Sequence, residues 1–410
     1  QPDQYTISEV QANIIAIDEH IESLRDCAPE LRQQHLRDMK SDAEAKGDSK
    51  RANDILAIIR REHLSNRYGE VNKTNRVRKG GGSVFKVEKR ELDGTTSTMT
   101  TQDAIEKVAG QTIGDRYRLA YSAPIMTNPI LLKHVGFCGN GDAIDSILHG
   151  TYEFPAGTDQ YTKLLLLEAA ILFTSLGEDE IVDLITRDDF QPFWRSAREK
   201  TESSYSGCHF GHYVAAARDN TVTDLHVISL NTVRELGIAP NRWRKSITVL
   251  LEKVLGVRLV DKLRAICLLE ADFNWLNKLI FAHRLEQFCR KHNIVPAEQF
   301  AKSKSSCEEA TLVKNLVCDT SRIMHNSFCL GGADLDQCFD RSNAPIAGVA
   351  ARAHHISLPS TRLMLSTMQH MQYFVKTGFG VAKSPTFGGT PGDLLMSLGQ
   401  GSGAAPMGMR

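Results

Sequence analysis

The segment from Gly332 to Arg341 constrains the chain more than any other part of its sequence. A small, apolar approach leads to Asp334, an aromatic-Asp pair follows at Phe339 and Asp340, and a helix-like segment comes next. This order indicates a strand that ends in a carboxylate, which is a hard oxygen ligand of the kind that Mg²⁺ prefers. Paired ions of this type stabilise the attacking and the leaving oxygen of a displacement reaction. Because two aspartates at this spacing are common by chance, the flanking sequence decides what the segment means.

Further motifs lie on both sides of this segment in a fixed order. They comprise a Trp-Arg-Lys run, a lysine before a predicted loop, two basic and apolar runs, and a downstream Gly-Gln-Gly run, at Trp243–Lys245, Lys253, Asp261–Leu269, Asn277–Leu285 and Ser397–Pro406. In this order and spacing, the set resembles the reverse transcriptase of non-LTR retrotransposons. The resemblance covers residues 189 to 410. Several landmarks in the right order are more specific than any single one. The resemblance implies that the chain is an RNA-directed DNA polymerase.

The resemblance also implies an α+β fold. Residues 1–188 are expected to form a helical, basic linker region. Residues 189–410 are expected to form right-hand polymerase fingers and an incomplete palm, which is an antiparallel sheet with packing helices. The 410 residues leave room for two or more domains. Residues 84–100 read as a hairpin or loose strand, and residues 101–185 as mainly helical.

Four residues of the central segment receive expected roles. The family's motifs make Asp334 the expected catalytic residue and metal ligand, with Asp340 as an auxiliary carboxylate. Asp336 would share a face with Asp334 on a strand, so it is either a decoy or an auxiliary acid. Asp334 and its neighbours could instead form a buried structural pair. Phe339 falls where the family places an aromatic ring beneath the incoming sugar, so it should clash with a 2′-hydroxyl and favour dNTPs. Packing in the core is the competing role for this ring.

Two cations and a glycine-rich loop complete the expected nucleotide site. Lys253 and Arg264 flank a predicted hairpin with Gly256 near its turn, and together they could bind a triphosphate. Surface salt bridging is their alternative role. Gln400 and Gly401 match the family's Pro-Gln-Gly motif, in which Gly lets the backbone approach a nucleotide and Gln orients a base. A flexible, glycine-rich tail is the alternative here.

The resemblance implies two Mg²⁺ ions as cofactors, and an RNA template, a DNA primer and dNTPs as partners. The expected reaction is in-line attack of the primer 3′-oxygen on the α-phosphate. The family's aromatic-x-Asp-Asp motif, which supplies the remaining metal ligands, does not follow Pro406 in this sequence. We therefore expect this chain to be inactive by itself.

Three other functions stay open at this point. Between Lys50 and Arg90, basic residues outnumber acidic ones about threefold, which would suit a non-catalytic nucleic-acid-binding remnant of a decayed retroelement. Residues 10–65 show apolar residues at helical spacing, which could serve self-association or a core. A polymerase that copies RNA into RNA is the closest enzymatic alternative. Phe339 argues against it, because its ring should clash with the 2′-hydroxyl of an NTP.

The remaining composition gives few functional signals. No apolar run reaches the roughly 20 residues that a membrane span requires. The cysteines form no C-x-x-C pair, which disfavours a disulfide framework or a zinc ribbon. Cys208, His209 and His212 are the one compact cluster of metal-ligand types, but no second pair lies at finger spacing. We expect an intracellular, reducing location without membrane contact, and the resemblance implies the nucleus.

Overall fold

A computed structural model describes residues 12, 16, 30, 32–62, 84–198, 204–295, 299–300, 305–332 and 338–403. The strands are β1 (Val87–Arg90), β2 (Thr96–Met99), β3 (Lys245–Glu252), β4 (Leu263–Leu268), β5 (Gln372–Thr377), β6 (Gly380–Val381) and β7 (Phe387–Gly388). The helices are α1 (Gln102–Tyr117), α2 (Pro124–Thr127), α3 (Pro129–Val135), α4 (Ile144–Leu148), α5 (Gln160–Ser175), α6 (Arg187–Ser196), α7 (Phe210–Ala216), α8 (Asn220–Leu236), α9 (Ala271–Lys278), α10 (Leu285–Lys291), α11 (Cys307–Ile323), α12 (Ala344–Ala353) and α13 (Leu358–Gln369). Short 3-10 helices span Leu119–Ser122, Asn241–Arg244 and Val260–Lys262, and a π-helix spans Leu279–Arg284. The fold is α+β, as expected.

The larger sheet has the strand order β4-β3-β5-β6, with β7 also paired to β5. β3 and β4 form an antiparallel hairpin in which Leu251 lies opposite Arg264. β5 runs parallel to β3, with Ile247 opposite Phe374, and antiparallel to β6 and β7. The expectation of an antiparallel sheet is therefore wrong at the β3–β5 pair. The physical reason is that the chain returns to β5 through α12 and α13, and a long helical crossover of this kind can join parallel strands.

The predicted hairpin at residues 84–100 is confirmed as β1 and β2, which pair antiparallel. This hairpin is attached to the larger sheet by backbone hydrogen bonds. Glu88 N donates to Arg258 O at 2.9 Å, and Gly378 N donates to Val84 O at 2.8 Å. α1 follows directly and packs on β5, β7 and the 3-10 helix that precedes β4. The last turn of α1 therefore lies beside the base of β4.

One hydrophobic core joins the two regions that the resemblance separates. Its buried members include Ile113 and Tyr117 from α1, and Trp243, Phe273 and Tyr373 from beyond residue 188. Burial of such large side chains is the main favourable term in folding. The predicted boundary at residue 188 therefore does not coincide with a break in the core.

The two helical segments at residues 32–45 and 49–62 pack a small core of their own. Leu36, Ala43, Ala52 and Ile55 are its buried members. Part of the apolar stripe predicted for residues 10–65 is thus used within the chain, and self-association through this region stays a prediction.

Across the described residues, no helix combines the length and the apolar character that crossing a bilayer would need.

Candidate functional site

The β3–β4 hairpin positions the two predicted cations. Lys253 directly follows β3, and Arg264 is the second residue of β4. Alternation along β4 leaves Arg264 exposed while its two neighbours in sequence are buried. Gly256 turns the hairpin with a φ of 84°, and its N–H donates to Glu252 Oε2 at 2.8 Å. The hairpin predicted between these cations is therefore present, with Gly256 at its turn.

Lys253 and Arg264 form no salt bridge within the described ranges. The carboxylate of Glu252, at the end of β3, instead accepts a bond from Arg258 Nε at 3.0 Å. Surface salt bridging, the alternative role of the two cations, thus finds no partner among these residues. Both charges remain available to an anion.

A buried ionic cluster closes the other end of the hairpin. Arg242, just before β3, donates to Glu270 Oε2 at 3.1 Å and to both carboxylate oxygens of Asp272, with 2.9 Å to Oδ1. Asp272 Oδ1 also accepts from Trp243 Nε1 at 2.9 Å. Charge-assisted, bidentate contacts of this kind fix geometry as well as adding energy. The cluster therefore joins the start of β3 to the segment that follows β4.

The segment around the leading aspartate is partly described. Asp334 and Asp336 lie outside the described residues. Residues 326–332 form neither helix nor strand, so the strand expected to approach Asp334 is absent from that described part. The helix expected after the segment is confirmed as α12. Phe339 is half-buried and Asp340 is buried, in a turn that leads into α12.

Phe339 is held by the glycine-rich segment. Its carbonyl oxygen accepts from Ser397 Oγ at 3.2 Å and from Leu398 N at 3.3 Å. Gln400 O in turn accepts from Cys267 N, in β4, at 2.8 Å. These bonds place the segment between the Phe339 turn and β4. A flexible tail, the alternative considered for this sequence, does not describe residues 397–403.

Gly401 has a packing role in this arrangement. Its φ is 122°, and an added Cβ would lie 2.4 Å from Cys267 O. Its carbonyl oxygen accepts from Asn274 Nδ2 at 3.2 Å. Gly401 does not line the cavity that the neighbouring Gln400 lines. The glycine is therefore required for close approach of two backbones, whereas its direct contact with substrate stays a prediction.

We expect Gly401→Ala to destabilise the folded chain by about 1–3 kcal/mol, because the methyl group would overlap a backbone oxygen that cannot move aside. Gly256→Ala is the matched control, since Gly256 also has a positive φ but has open space around its Cα. That control should cost about 1 kcal/mol or less. Urea unfolding of both variants measures the difference. Equal unfolding midpoints would contradict the proposed close approach.

Five of the predicted residues line one cavity of about 320 Å³. Its lining comprises Arg116, Lys253, Asp261, Lys262, Leu263, Arg264, Ala265, Cys338, Phe339, Asp340 and Gln400. Four of these side chains are cationic and two are carboxylates, so the described lining carries a net positive charge. Low-dielectric walls strengthen such a field and attract anions. The cavity thus suits an anionic ligand such as a phosphate chain.

The groups buried next to the cavity add little negative charge. Burial raises the pKa of the Cys267 thiol to about 12. Burial likewise holds the pKa values of Tyr117 and Tyr373 well above their usual range, and the Asp340 carboxylate adds to both shifts. Tyr117 Oη and Cys267 Sγ lie 3.2 Å apart. These three groups are neutral at pH 7, so they leave the cationic character of the cavity intact.

The Cys208, His209 and His212 cluster has a structural role. His209 Nδ1 accepts from Gly211 N at 3.0 Å, and His212 Nδ1 accepts from His209 N at 2.9 Å, so the two rings cap the start of α7. Cys208 Sγ contacts Tyr213 Oη at 3.5 Å. Within the ranges that the structure covers, no group of three or more His, Cys, Asp and Glu side chains could hold a metal ion. Asp334 and Asp336 lie outside those ranges.

Sequence reasoning missed two cations of the cavity. Lys262 lies within the Asp261–Leu269 motif, but the family pattern gives this lysine no role. Arg116 lies in α1, outside the residues that carry the resemblance. No local pattern distinguishes Arg116 from other helical arginines, and only packing of α1 beside β4 brings it to the site.

Comparison with protein-family models and with curated proteins found no match to this chain.

Proposed function

We propose that the chain forms the nucleotide-binding side of a reverse transcriptase of the non-LTR retrotransposon type. The observation that carries the proposal is the convergence of Lys253, Arg264, Phe339, Asp340 and Gln400 on one cationic cavity. More than a hundred residues separate the first of these from the last. If the motifs matched the family only by chance, these five residues would not be expected to line the same cavity. A nucleotide site requires that they do.

Each residue has a chemical role in the proposed site. Arg264 would bind phosphate oxygens through its planar fork, and Lys253 would add a point charge. Phe339 would pack beneath the sugar, and Gln400 would hydrogen-bond a base. In a complete enzyme of this type, the primer 3′-oxygen would attack the α-phosphorus, and the bond to the β-phosphate oxygen would break to release pyrophosphate; this chain, without the aromatic-x-Asp-Asp motif, is expected to bind the nucleotide but not to catalyse the step. Positioning and electrostatic stabilisation supply most of the catalysis in such phosphoryl transfers.

The proposed cofactor is Mg²⁺. When bound, two such ions would neutralise charge on the reacting phosphate and align its oxygens. Asp334 is the proposed leading ligand and lies outside the described residues. Among the described residues, the cavity offers carboxylates from Asp261 and Asp340, oxygen donors of the type that Mg²⁺ accepts. The donor type fits the ion, and Asp334 would have to complete the site, because the described residues bring no three metal-binding side chains together.

The sugar preference tests this proposal directly. The purified chain should bind dATP with Mg²⁺ about tenfold or more tightly than ATP, because the Phe339 ring, if it packs beneath the sugar as proposed, would clash with a 2′-hydroxyl. Phe339→Ala should remove most of that preference. Phe379→Ala is the matched control, because Phe379 is half-exposed and packs on Phe85 away from the cavity. Equilibrium titration with fluorescent analogues of both nucleotides measures the ratio.

Equal affinities of the wild-type chain for dATP and ATP would contradict a reverse transcriptase site. Salt-sensitive RNA binding without any dATP affinity would instead support the non-catalytic nucleic-acid-binding remnant.

A further inference from the structure

Arg116 is a buried cation at the wall of the proposed nucleotide site. It is the penultimate residue of α1, its relative exposure is 7%, and it lines the same cavity as Lys253 and Arg264. α1 belongs to the region before residue 189, which the family resemblance treats as a linker without nucleotide contacts. The packing of α1 against the segment before β4 alone brings this guanidinium to the cavity.

The side chain of Arg116 forms hydrogen bonds but no ion pair among the described residues. Nη1 donates to Leu263 O and Nη2 donates to Val260 O, both at 3.2 Å. These acceptors are neutral carbonyl groups. Arg116 forms no salt bridge with any carboxylate in the part of the chain that the structure describes. A guanidinium does not lose its proton in proteins, so burial without a counter-ion is unfavourable unless an anion arrives.

We propose that Arg116 is a phosphate-binding residue of this cavity and contacts the polyphosphate of the incoming nucleotide. This inference rests on the proposed function. A guanidinium has five N–H donors, and the two bonds to carbonyl groups leave three of them for phosphate oxygens. The same two bonds fix the guanidinium at the wall of the cavity that Arg264 also lines. The N-terminal region thereby contributes part of the nucleotide site.

A purely structural role would give a different pattern of effects. Glutamine at position 116 can still donate to a carbonyl group but carries no charge, whereas lysine keeps the charge and loses the planar fork. If Arg116 only ties α1 to the start of β4, both variants should unfold more easily and bind phosphate normally. If it binds phosphate, the neutral variant should lose more affinity than the charged one.

The test titrates the full chain with inorganic tripolyphosphate in the presence of Mg²⁺. Isothermal titration calorimetry measures the binding. Arg116→Gln should weaken binding at least about tenfold, and Arg116→Lys about threefold to tenfold. The control is Arg118→Gln, two residues further on, because Arg118 pairs with Asp393, with 2.9 Å from Nε to Oδ1, and does not line the cavity. Thermal unfolding of each variant establishes that it is folded at the titration temperature.

The outcomes separate this inference from the proposed function. If the wild-type chain binds tripolyphosphate, an affinity loss in Arg116→Gln that does not exceed the loss in Arg118→Gln, or does not exceed the loss in Arg116→Lys, overturns the role of Arg116 and leaves the nucleotide site in place. If the glutamine variant does not fold, the lysine variant decides, and a loss of less than threefold overturns the role. A wild-type chain that binds neither tripolyphosphate nor dATP overturns both proposals.

Discussion

Replacing Arg264 with alanine is expected to weaken dATP binding about 10- to 100-fold, because hydrogen bonds to charged groups contribute more than neutral ones. Arg264 is exposed on β4, has no salt-bridge partner among the described residues and lines the cavity together with three other cations. In the proposed site, its removal would deprive a triphosphate of one bidentate contact, while the fold would lose little buried surface. Equilibrium titration with a fluorescent dATP analogue measures the loss.

Arg258→Ala is the matched control for this experiment. Arg258 is a cation of the same hairpin, pairs with Glu252 at 3.0 Å and does not line the cavity. Its removal should change dATP affinity less than about twofold, because its charge is paired with Glu252 and lies outside the cavity lining. Similar losses in the two variants would indicate a diffuse field rather than a site, and would favour the nucleic-acid-binding remnant.

The largest expected effect on stability follows from Arg242→Leu. This substitution leaves the side chains of Glu270 and Asp272, which are 0% and 3% exposed, without the cation that pairs with both. Removal of one partner from a buried ion pair costs about 3–5 kcal/mol, since the remaining charge stays buried. That is a large fraction of the 5–15 kcal/mol by which a typical domain is stable. Urea unfolding followed by tryptophan fluorescence measures it, because Trp243 belongs to the cluster.

The loss of folding stability in Arg242→Leu should depend on pH. Burial already raises the pKa of Glu270 in the wild-type chain, and Arg242 opposes that shift. Without Arg242 the folded-state pKa of Glu270 rises further above its unfolded value, so the folded state binds more protons. Stability of the variant should therefore fall as the pH rises through that pKa, and be best preserved in mild acid.

Arg187→Leu is the control for the buried cluster. Arg187 makes a bidentate contact with Asp224, but both side chains are more than 40% exposed. Solvent screens such a pair, so its loss should change the unfolding midpoint little at any pH. Comparable destabilisation by the two leucine variants would show that burial does not increase the contribution of the Arg242 cluster to stability.

Much of the candidate site could be predicted from local sequence. Lys253, Gly256 and Arg264 lie where turn chemistry and strand alternation place them, since both depend on neighbouring residues. The helix after Asp340 and the hairpin before α1 were predicted for the same reason. The strand expected before Asp334 is not found in residues 326–332. That expectation came from the small, apolar approach to Asp334, but the local sequence there, Asn-Ser-Phe-Cys-Leu-Gly-Gly, contains a Gly pair that weakens a strand.

The amino-acid sequence by itself determined the hairpin, the positions of its two cations and the order of the motifs along the chain. Only the tertiary structure decided that these residues share a cavity with Gln400, that β5 lies parallel to β3, and that Arg116 joins the site from α1. Turns and alternation are set by residues a few positions apart. Long-range pairing is set by burial of large side chains such as Tyr117 and Tyr373 against one another, with ring centres 5.4 Å apart. No local pattern encodes such contacts, because each depends on the whole core forming at once.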